Sequence, residues 1–363
     1  MAAARQVPLI LFGSGHVGRA FLRQWMRVRA HLAERYCLDL QPVALTDSSG
    51  ALVDWQGVPP EAVQAALDAK AGGQSFARQP GAAAGLSAAD LIEQAGANGV
   101  EGAIVVDTTA AEHMTPALSR ALQQGYSLVL ANKRPLAGPW SDAQPFFDSP
   151  RVAFEATVGA GLPVINTLRY LVDTGDVVQR IEGALSGTLG YLCSRLEDGE
   201  AFSVVVGAAK AHGYTEPDPR EDLSGMDVAR KVLILARLAG WPLEMGDLKV
   251  DPLYPAQMAE MSVAEFMNEL PRLDVDFAAY MGALAGVPRY MAEVGPQGGV
   301  VSLRMVGERL GAQLRGTRNL VSFWTEQYAE MPLSIGGPGG GRQVTALAVL
   351  NDCLRLAQVN PCV

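Results

Sequence analysis

The sequence predicts an α/β protein, with a doubly wound parallel sheet in its first domain and a second, α+β domain after it. Three observations lead there. The N-terminus runs apolar strand, glycine turn, helix. Short apolar strands then alternate with helical stretches, the order that builds a parallel sheet. Near residue 150 the composition shifts to a new strand, a second glycine-rich turn and a new set of helices. At 363 residues the chain also exceeds the roughly 250–300 at which a single core stops growing. The expected units are 1–150, completed by a C-terminal helix within 336–363, and 151–335.

Taking the chain in order, Val7 to Phe12 is a short apolar strand, and the turn Gly13-Ser14-Gly15-His16-Val17-Gly18 follows it. A helical pattern continues from Arg19 toward Arg29. Glycines there permit a tight turn and close backbone approach, so a pyrophosphate can rest on the helix N-terminus, as in a Rossmann-type dinucleotide fold. An ordinary glycine-rich turn is the competing reading of so short a motif. A second strand, Pro42 to Thr46, ends in Asp47. That carboxylate can bond a ribose 2'-OH and repel a 2'-phosphate, and the local DSSG offers no Arg or Lys to hold one, which leans to NADH over NADPH. Further strands are expected at Ala103 to Val106 and Ser127 to Leu130. The segments after them, DTTA and ANKRPLA, place Thr108, Thr109, Asn132 and Lys133 at carboxyl ends of strands, where open α/β sheets bind ligands. Between Gly72 and Gly85 the Gly, Ala, Gln and Pro content reads as a surface connection without function.

In the second domain, SPRVAFEATVGAGLPVINTLRYL gives a strand, a glycine turn and a helix with Pro163 in its first turn. The VGAGLP turn either cradles an ion with its backbone or simply changes direction. Gly187 and Thr188 then lie between a strand and a helix in ALSGTLGYL. Amphipathic helices at Phe202 to His212 and Ser224 to Ala239 bracket an acidic stretch. VVSLRMV and NLVSFWTEQY read as strands of this domain's sheet. The cluster GGPGGG, ending at Gly341, is expected to be a hinge or phosphate-side loop before a final helix that returns to the first domain.

The acidic stretch is where chemistry gathers. Glu216, Asp218, Glu221 and Asp222 lie among Pro217 and Pro219, which argues for a shaped loop over a regular helix. Ser224 is expected to cap the next helix, with Asp227 at its third position. Lys231 follows Asp227 at the spacing of a helical ion pair, among Val228, Val232, Leu233 and Leu235. An isolated pair of this kind is ordinary surface charge. Several carboxylates leading to one lysine in an apolar context point to a polar pocket.

Composition narrows the partners. A net charge of -9 with no Lys/Arg cluster argues against nucleic acid and anionic membrane. Apolar runs are broken by charges, as Arg237 breaks VLILARLAG, so none reaches the roughly 20 residues of a membrane span. Cys37, Cys193, Cys353 and Cys362 lack paired spacing, which indicates neither a zinc site nor a disulfide framework and suits a reducing compartment, the cytoplasm.

Taken together, GSGHVG, NKRPLA, EATVGAGLPVINTL, SGTLGY, GYTEPDPREDLSGMDVARK and the glycine-rich turn before VTA resemble homoserine dehydrogenase, in order and over nearly the whole chain. No kinase-like segment precedes and no regulatory segment follows, so the resemblance is to a short monofunctional form, which puts threonine feedback in doubt. It implies reversible NAD(P)H-dependent reduction of aspartate 4-semialdehyde to homoserine. It also implies a homodimer formed through the second domain, a small-molecule substrate as the other partner, and a sodium or potassium ion. By that resemblance the glycine turn, with Thr108, Lys133 and Gly341, holds the cofactor. Glu216 and Asp222 bind the substrate's ammonium, and Thr188 and Tyr214 line its pocket. Lys231 donates the proton and Lys133 stabilises the developing charge. The monovalent cation falls on backbone carbonyls of Glu155, Val158, Ala160 and Leu162. The glycine-rich turn departs from the commoner Gly-x-Gly-Ala-Gly at Pro338 and Gly340. Two alternatives stay open: a related amino-acid dehydrogenase acting on an imine, and a catalytically silent dinucleotide-binding dimer.

Overall fold

Strand β1 (Arg5–Phe12) is the centre of the first sheet, because its side chains from Val7 to Phe12 are apolar on both faces and must be covered by helices on each. A computed structural model describes residues 4–78, 82–283 and 285–359, and the chain divides into two units, Met1–Gly161 with Gly341–Val363, and Leu162–Gly340. The junctions therefore fall at 161 and 341 where the sequence suggests 150 and 336. Cys362 and the other residues of 360–363 expected in the final helix lie outside the described residues.

In the first unit, β1 pairs in parallel with β2 (Leu38–Thr46) on one side and β5 (Ile104–Asp107) on the other. Beyond β2 come β3 (Gly50–Val53) and β4 (Ala82–Ala84), both antiparallel. Beyond β5 come β6 (Ser127–Leu130) and β7 (Val152–Ala153), both parallel. The sheet order β4-β3-β2-β1-β5-β6-β7 reverses direction between β1 and β5, so their carboxyl ends open a crevice. The first helix spans His16–Tyr36, longer at both ends than its sequence pattern suggested. Trp25 anchors it, buried and donating its indole N–H to the Leu40 carbonyl at 2.8 Å. The C-terminal helix Arg342–Val359 contributes Ala346, Val349, Cys353 and Leu356 to the same core as Phe21 and Trp25.

The second unit is built on a mixed sheet of order β13-β12-β8-β10-β11-β9. Its strands are β8 (Val178–Ala184), β9 (Leu248–Val250), β10 (Val287–Gly295), β11 (Gly298–Val306), β12 (Arg318–Thr325) and β13 (Leu333–Pro338). The helix Met226–Leu238 buries Val228, Val232, Leu233 and Leu235. Arg237 is buried there too, its guanidinium held by the Leu243 carbonyl at 2.9 Å and by Glu244 at 3.0 Å. Among the described residues no helix is long and apolar enough to cross a membrane, and Cys37, Cys193 and Cys353 are free thiols.

Three expectations need correcting. The stretch from Gly72 to Gly85 is more than a connection, since it supplies a helical turn, Phe76–Arg78, and the edge strand β4. GGPGGG is not one loop: Gly336, Gly337 and Pro338 belong to β13, paired with β12, and only Gly341 with φ +131° opens the terminal helix. Edge pairing to β12 satisfies backbone groups that a flexible hinge would leave to water. Finally, the acidic stretch is partly helical, because Pro219 takes the position before a short helix at Arg220–Leu223, where its missing N–H costs nothing.

Candidate functional site

In the first unit the glycines are fixed by close approach. Gly13 has φ +92°, and a Cβ there would lie 2.9 Å from the Thr109 backbone nitrogen. A Cβ on Gly18 would sit 2.1 Å from the Gly13 carbonyl oxygen. The turn is tied down by Thr108, which donates to the Gly13 carbonyl at 2.6 Å, and by Ser14, whose N–H donates to the Thr46 carbonyl at 2.8 Å. Gly15 precedes the helix without a side-chain cap, and no acidic residue stands in the first turn, so the helix N-terminus favours an anion. His16 is exposed there, while Val17 packs its side chain toward the core. A cavity of about 640 Å³ opens beside the turn, lined by Gly13, Ser14, Gly15, Asp47, Lys70 and Thr108 among others. Lys133 and Gly341 do not line it.

Asp47 is not the free carboxylate the sequence suggested. One oxygen accepts the Ser49 N–H at 2.8 Å, the Ser49 hydroxyl at 2.5 Å and the Gly50 N–H at 3.1 Å. The other accepts Lys70 Nζ at 2.6 Å and the Phe76 N–H at 3.0 Å. Burial works against ionisation, but Lys70, Ser49 and Phe76 outweigh it and hold the carboxyl well below the usual carboxylate range.

A buried network that the sequence reading passed over fixes the carboxyl ends of β5 and β6. Asp107 accepts the Thr109 N–H at 2.9 Å and hydroxyl at 2.7 Å, and Asn132 donates to its other oxygen at 3.1 Å. Asn132 also donates to the Ala111 carbonyl at 2.9 Å and accepts the Arg134 N–H at 3.1 Å. Lys133, between them, precedes the short helix Arg134–Ala137. Burial pushes the Asp107 pKa up, opposed by the Thr109 and Asn132 bonds. The signal was present in DTTA: an Asp at a strand end with hydroxyl residues after it favours side-chain-to-backbone turns.

The turn after β7 has an unusual backbone. Glu155–Thr157 form a 3-10 turn, and the Glu155 N–H donates to Asp352 at 2.8 Å. Gly159 and Ala160 follow with φ +81° and +58°, a left-handed pair that costs the alanine about 1–2 kcal/mol. Glu155 and Val158 are buried. Among the described residues no cluster of three or more His, Cys, Asp or Glu side chains suits a metal. Leu162 opens the second unit, and its carbonyl already accepts the Val164 N–H at 2.8 Å.

In the second unit the acidic residues converge. The Glu216 N–H donates to Asp222 Oδ2 at 2.8 Å, and the Thr188 hydroxyl reaches the Tyr214 carbonyl at 2.7 Å. Tyr214 is half exposed, with its ring 4.9 Å from that of Tyr191. Burial raises the Asp222 pKa; the Glu216 N–H opposes it, and the charges of Glu216 and Asp227 add to the rise. A cation beside Asp222 would relieve both its burial and the charge of its acidic neighbours. Asp218 instead grips Arg220 through both oxygens, at 2.9 Å and 2.6 Å, and Arg220 bonds the Ala259 carbonyl at 2.7 Å, which locks the loop.

Lys231 is 13% exposed and donates to Asp227 at 2.7 Å and to the Leu185 carbonyl at 2.7 Å. Of its three donors, one remains for a further acceptor. Ser224 is not the N-cap of this helix; Gly225 is, with φ +72°, and no side chain fits there because a Cβ would lie 2.0 Å from the Tyr290 hydroxyl. Ser224 still accepts the Met226 N–H at 3.3 Å. Asp227 accordingly falls at the second helical position and serves as the partner of Lys231.

Comparison with known proteins adds to this geometry. Residues 163–354 match the homoserine dehydrogenase family. A homoserine dehydrogenase of Paracoccidioides brasiliensis is 40% identical over 70% of this chain and 74% of its own length. The chloroplastic bifunctional aspartokinase/homoserine dehydrogenase 2 of Zea mays is 38% identical over 96% of this chain, and the chain spans 38% of that protein's length. A hyperthermophilic archaeal homoserine dehydrogenase, solved in complex with NADPH, shares the fold at a TM-score of 0.75 and 22% identity, covering 98% of this chain and 99% of that one. A family match running through the acidic loop and Lys231, with 40% identity to a relative largely covered by the alignment, has one meaning: the chain belongs to the homoserine dehydrogenase family.

Proposed function

We propose that this chain interconverts aspartate 4-semialdehyde and homoserine with NAD(P)H. The observation that carries the proposal is Lys231, anchored by Asp227 and the Leu185 carbonyl in the unit that holds the acidic loop. When bound, the reduced nicotinamide supplies the hydride for the aldehyde carbon. Lys231 gives its proton to the aldehyde oxygen, which becomes the hydroxyl, and is reprotonated by water. Glu216 and Asp222 hold the substrate's ammonium by charge-assisted bonds, with Thr188 and Tyr214 beside them. Lys133 is assigned the second positive charge toward the developing alkoxide. The turn from Gly13 to Gly18 takes the pyrophosphate on its helix N-terminus, supported by Thr108, with Gly341 assigned to the same cofactor. Against an imine-reducing dehydrogenase, the test is a substrate panel. Aspartate 4-semialdehyde is expected to be turned over at least a hundredfold faster than 2-oxo acids with ammonia, and the reverse order sinks the reading.

Cofactor choice departs from the leaning toward NADH. Lys70, at 2.6 Å from Asp47, neutralises the carboxylate meant to exclude a 2'-phosphate and brings an ammonium to the same place. Both cofactors are therefore accepted, and Lys70→Ala lowers kcat/KM for NADPH at least tenfold more than for NADH. Equal losses would remove Lys70 from that role. The left-handed turn at Gly159 and Ala160 supports a sodium or potassium ion on the carbonyls of Glu155, Val158, Ala160 and Leu162. The melting temperature is then expected to rise when either salt replaces tetramethylammonium chloride at equal ionic strength; no difference contradicts the site. A homodimer through the second unit's sheet is part of the same proposal, checked by light-scattering mass, for which a monomer is the contrary result.

A further inference from the structure

Helix His16–Tyr36 carries His16, Arg19, Arg23 and Arg27 at spacings of three and four residues, so the four share one helix face. Arg342, at the start of the C-terminal helix, joins them around a cavity of about 410 Å³ in the first unit. Four guanidinium groups and an imidazole thus line one space, and no carboxylate does. In a chain of net charge -9 this needs an explanation. Elsewhere arginines find acids: Arg29, on the same helix, pairs with Asp39 at 2.8 Å, and Arg220 pairs with Asp218 at 2.6 Å. Among the described residues, none of the four arginines on the cavity makes an ion pair. Arg27 donates to Gln24 at 2.9 Å, and Arg19 to the carbonyls of Gly15 at 3.2 Å and Lys70 at 3.5 Å.

We propose that this cavity binds a small molecule bearing a phosphate or diphosphate group, at a site that adjoins the cofactor turn through His16 but shares no lining residue with the dinucleotide cleft. Planar guanidinium forks match phosphate oxygens in pairs, and several gathered around one space favour an anion of more than one charge. The volume suits a small ligand. Arg19 links the two places. Its guanidinium bonds Gly15, which opens the cofactor turn, and the backbone of Lys70, whose ammonium holds Asp47. An anion that draws Arg19 toward itself loosens both contacts and changes cofactor affinity. That coupling rests on reading the neighbouring cleft as a dinucleotide site; binding of the anion does not.

Calorimetry with inorganic pyrophosphate at constant ionic strength tests the proposal, on wild type and on Arg23→Ser/Arg342→Ser. Both substituted side chains are exposed, and a melting curve checks that the variant is folded. With NADH saturating, so that the cofactor turn is filled, one saturable site is expected, weakened at least tenfold in the variant, with the variant's own NADH and NADPH affinities unchanged. Three results overturn it: no saturable binding at saturating NADH, equal binding to the variant, or a selective loss of NADPH affinity in the variant. The last would assign these arginines to the cofactor's own 2'-phosphate.

Discussion

Lys231→Ala is expected to lower turnover of aspartate 4-semialdehyde by roughly a hundred- to ten-thousand-fold, the usual contribution of a positioned general acid. That range equals about 3–5 kcal/mol of transition-state stabilisation. Size follows from geometry: Asp227 and the Leu185 carbonyl each hold the ammonium at 2.7 Å, so it reaches the transition state already oriented. Truncation leaves no buried carboxylate unpaired, because Asp227 is 44% exposed. The variant should therefore melt close to wild type and bind cofactor normally, with the loss confined to kcat. Steady-state kinetics and a melting curve on the same preparation separate these, and a kcat within tenfold of wild type removes Lys231 from the mechanism.

Asp222→Ala is expected to raise the KM for aspartate 4-semialdehyde about 10- to 100-fold with a smaller change in kcat, since a hydrogen bond to a charged group contributes about 1.5–3 kcal/mol. A fall in kcat at unchanged KM would mean that Asp222 does not hold the ammonium. The pH dependence has a definite sign. Burial raises the Asp222 pKa, and only the ionised carboxylate pairs with an ammonium, so the wild-type KM should climb as pH falls through that raised value. Stability runs the other way. A carboxyl whose folded pKa lies above its unfolded one contributes stability that is complete below the unfolded pKa and lost as pH rises through the folded pKa. Asp222→Asn keeps an acceptor for the Glu216 N–H but carries no charge. It should melt higher than wild type at neutral pH, with the gap closing on acidification. A lower melting point at neutral pH would contradict the burial cost assigned to Asp222.

The sequence shows most where the signal is local. Ser127 to Leu130 is a fully buried strand and reads as one from its residues alone. The Asp227–Lys231 pair follows from helical spacing, and the glycine turn from its glycines, of which Gly13 and Gly18 leave no room for a Cβ. What escaped depends on distant partners. Lys70 meets Asp47 from the end of the helix Pro60–Ala71, and Phe76 reaches the same carboxylate from a stretch that looked featureless. Asn132 completes Asp107 across two strands. The cap falls at Gly225, where Tyr290, far along the chain, fills the space a side chain would need. Gly336 and Gly337 lie in β13 because β12 provides a ladder, which outweighs their low strand preference.

The most direct test of the central claim is the absorbance of reduced nicotinamide when aspartate 4-semialdehyde is added to wild-type protein, with the product identified. Stoichiometric consumption with homoserine formed is the expected result. Cofactor that binds but is not oxidised would contradict it and leave a silent dinucleotide-binding protein.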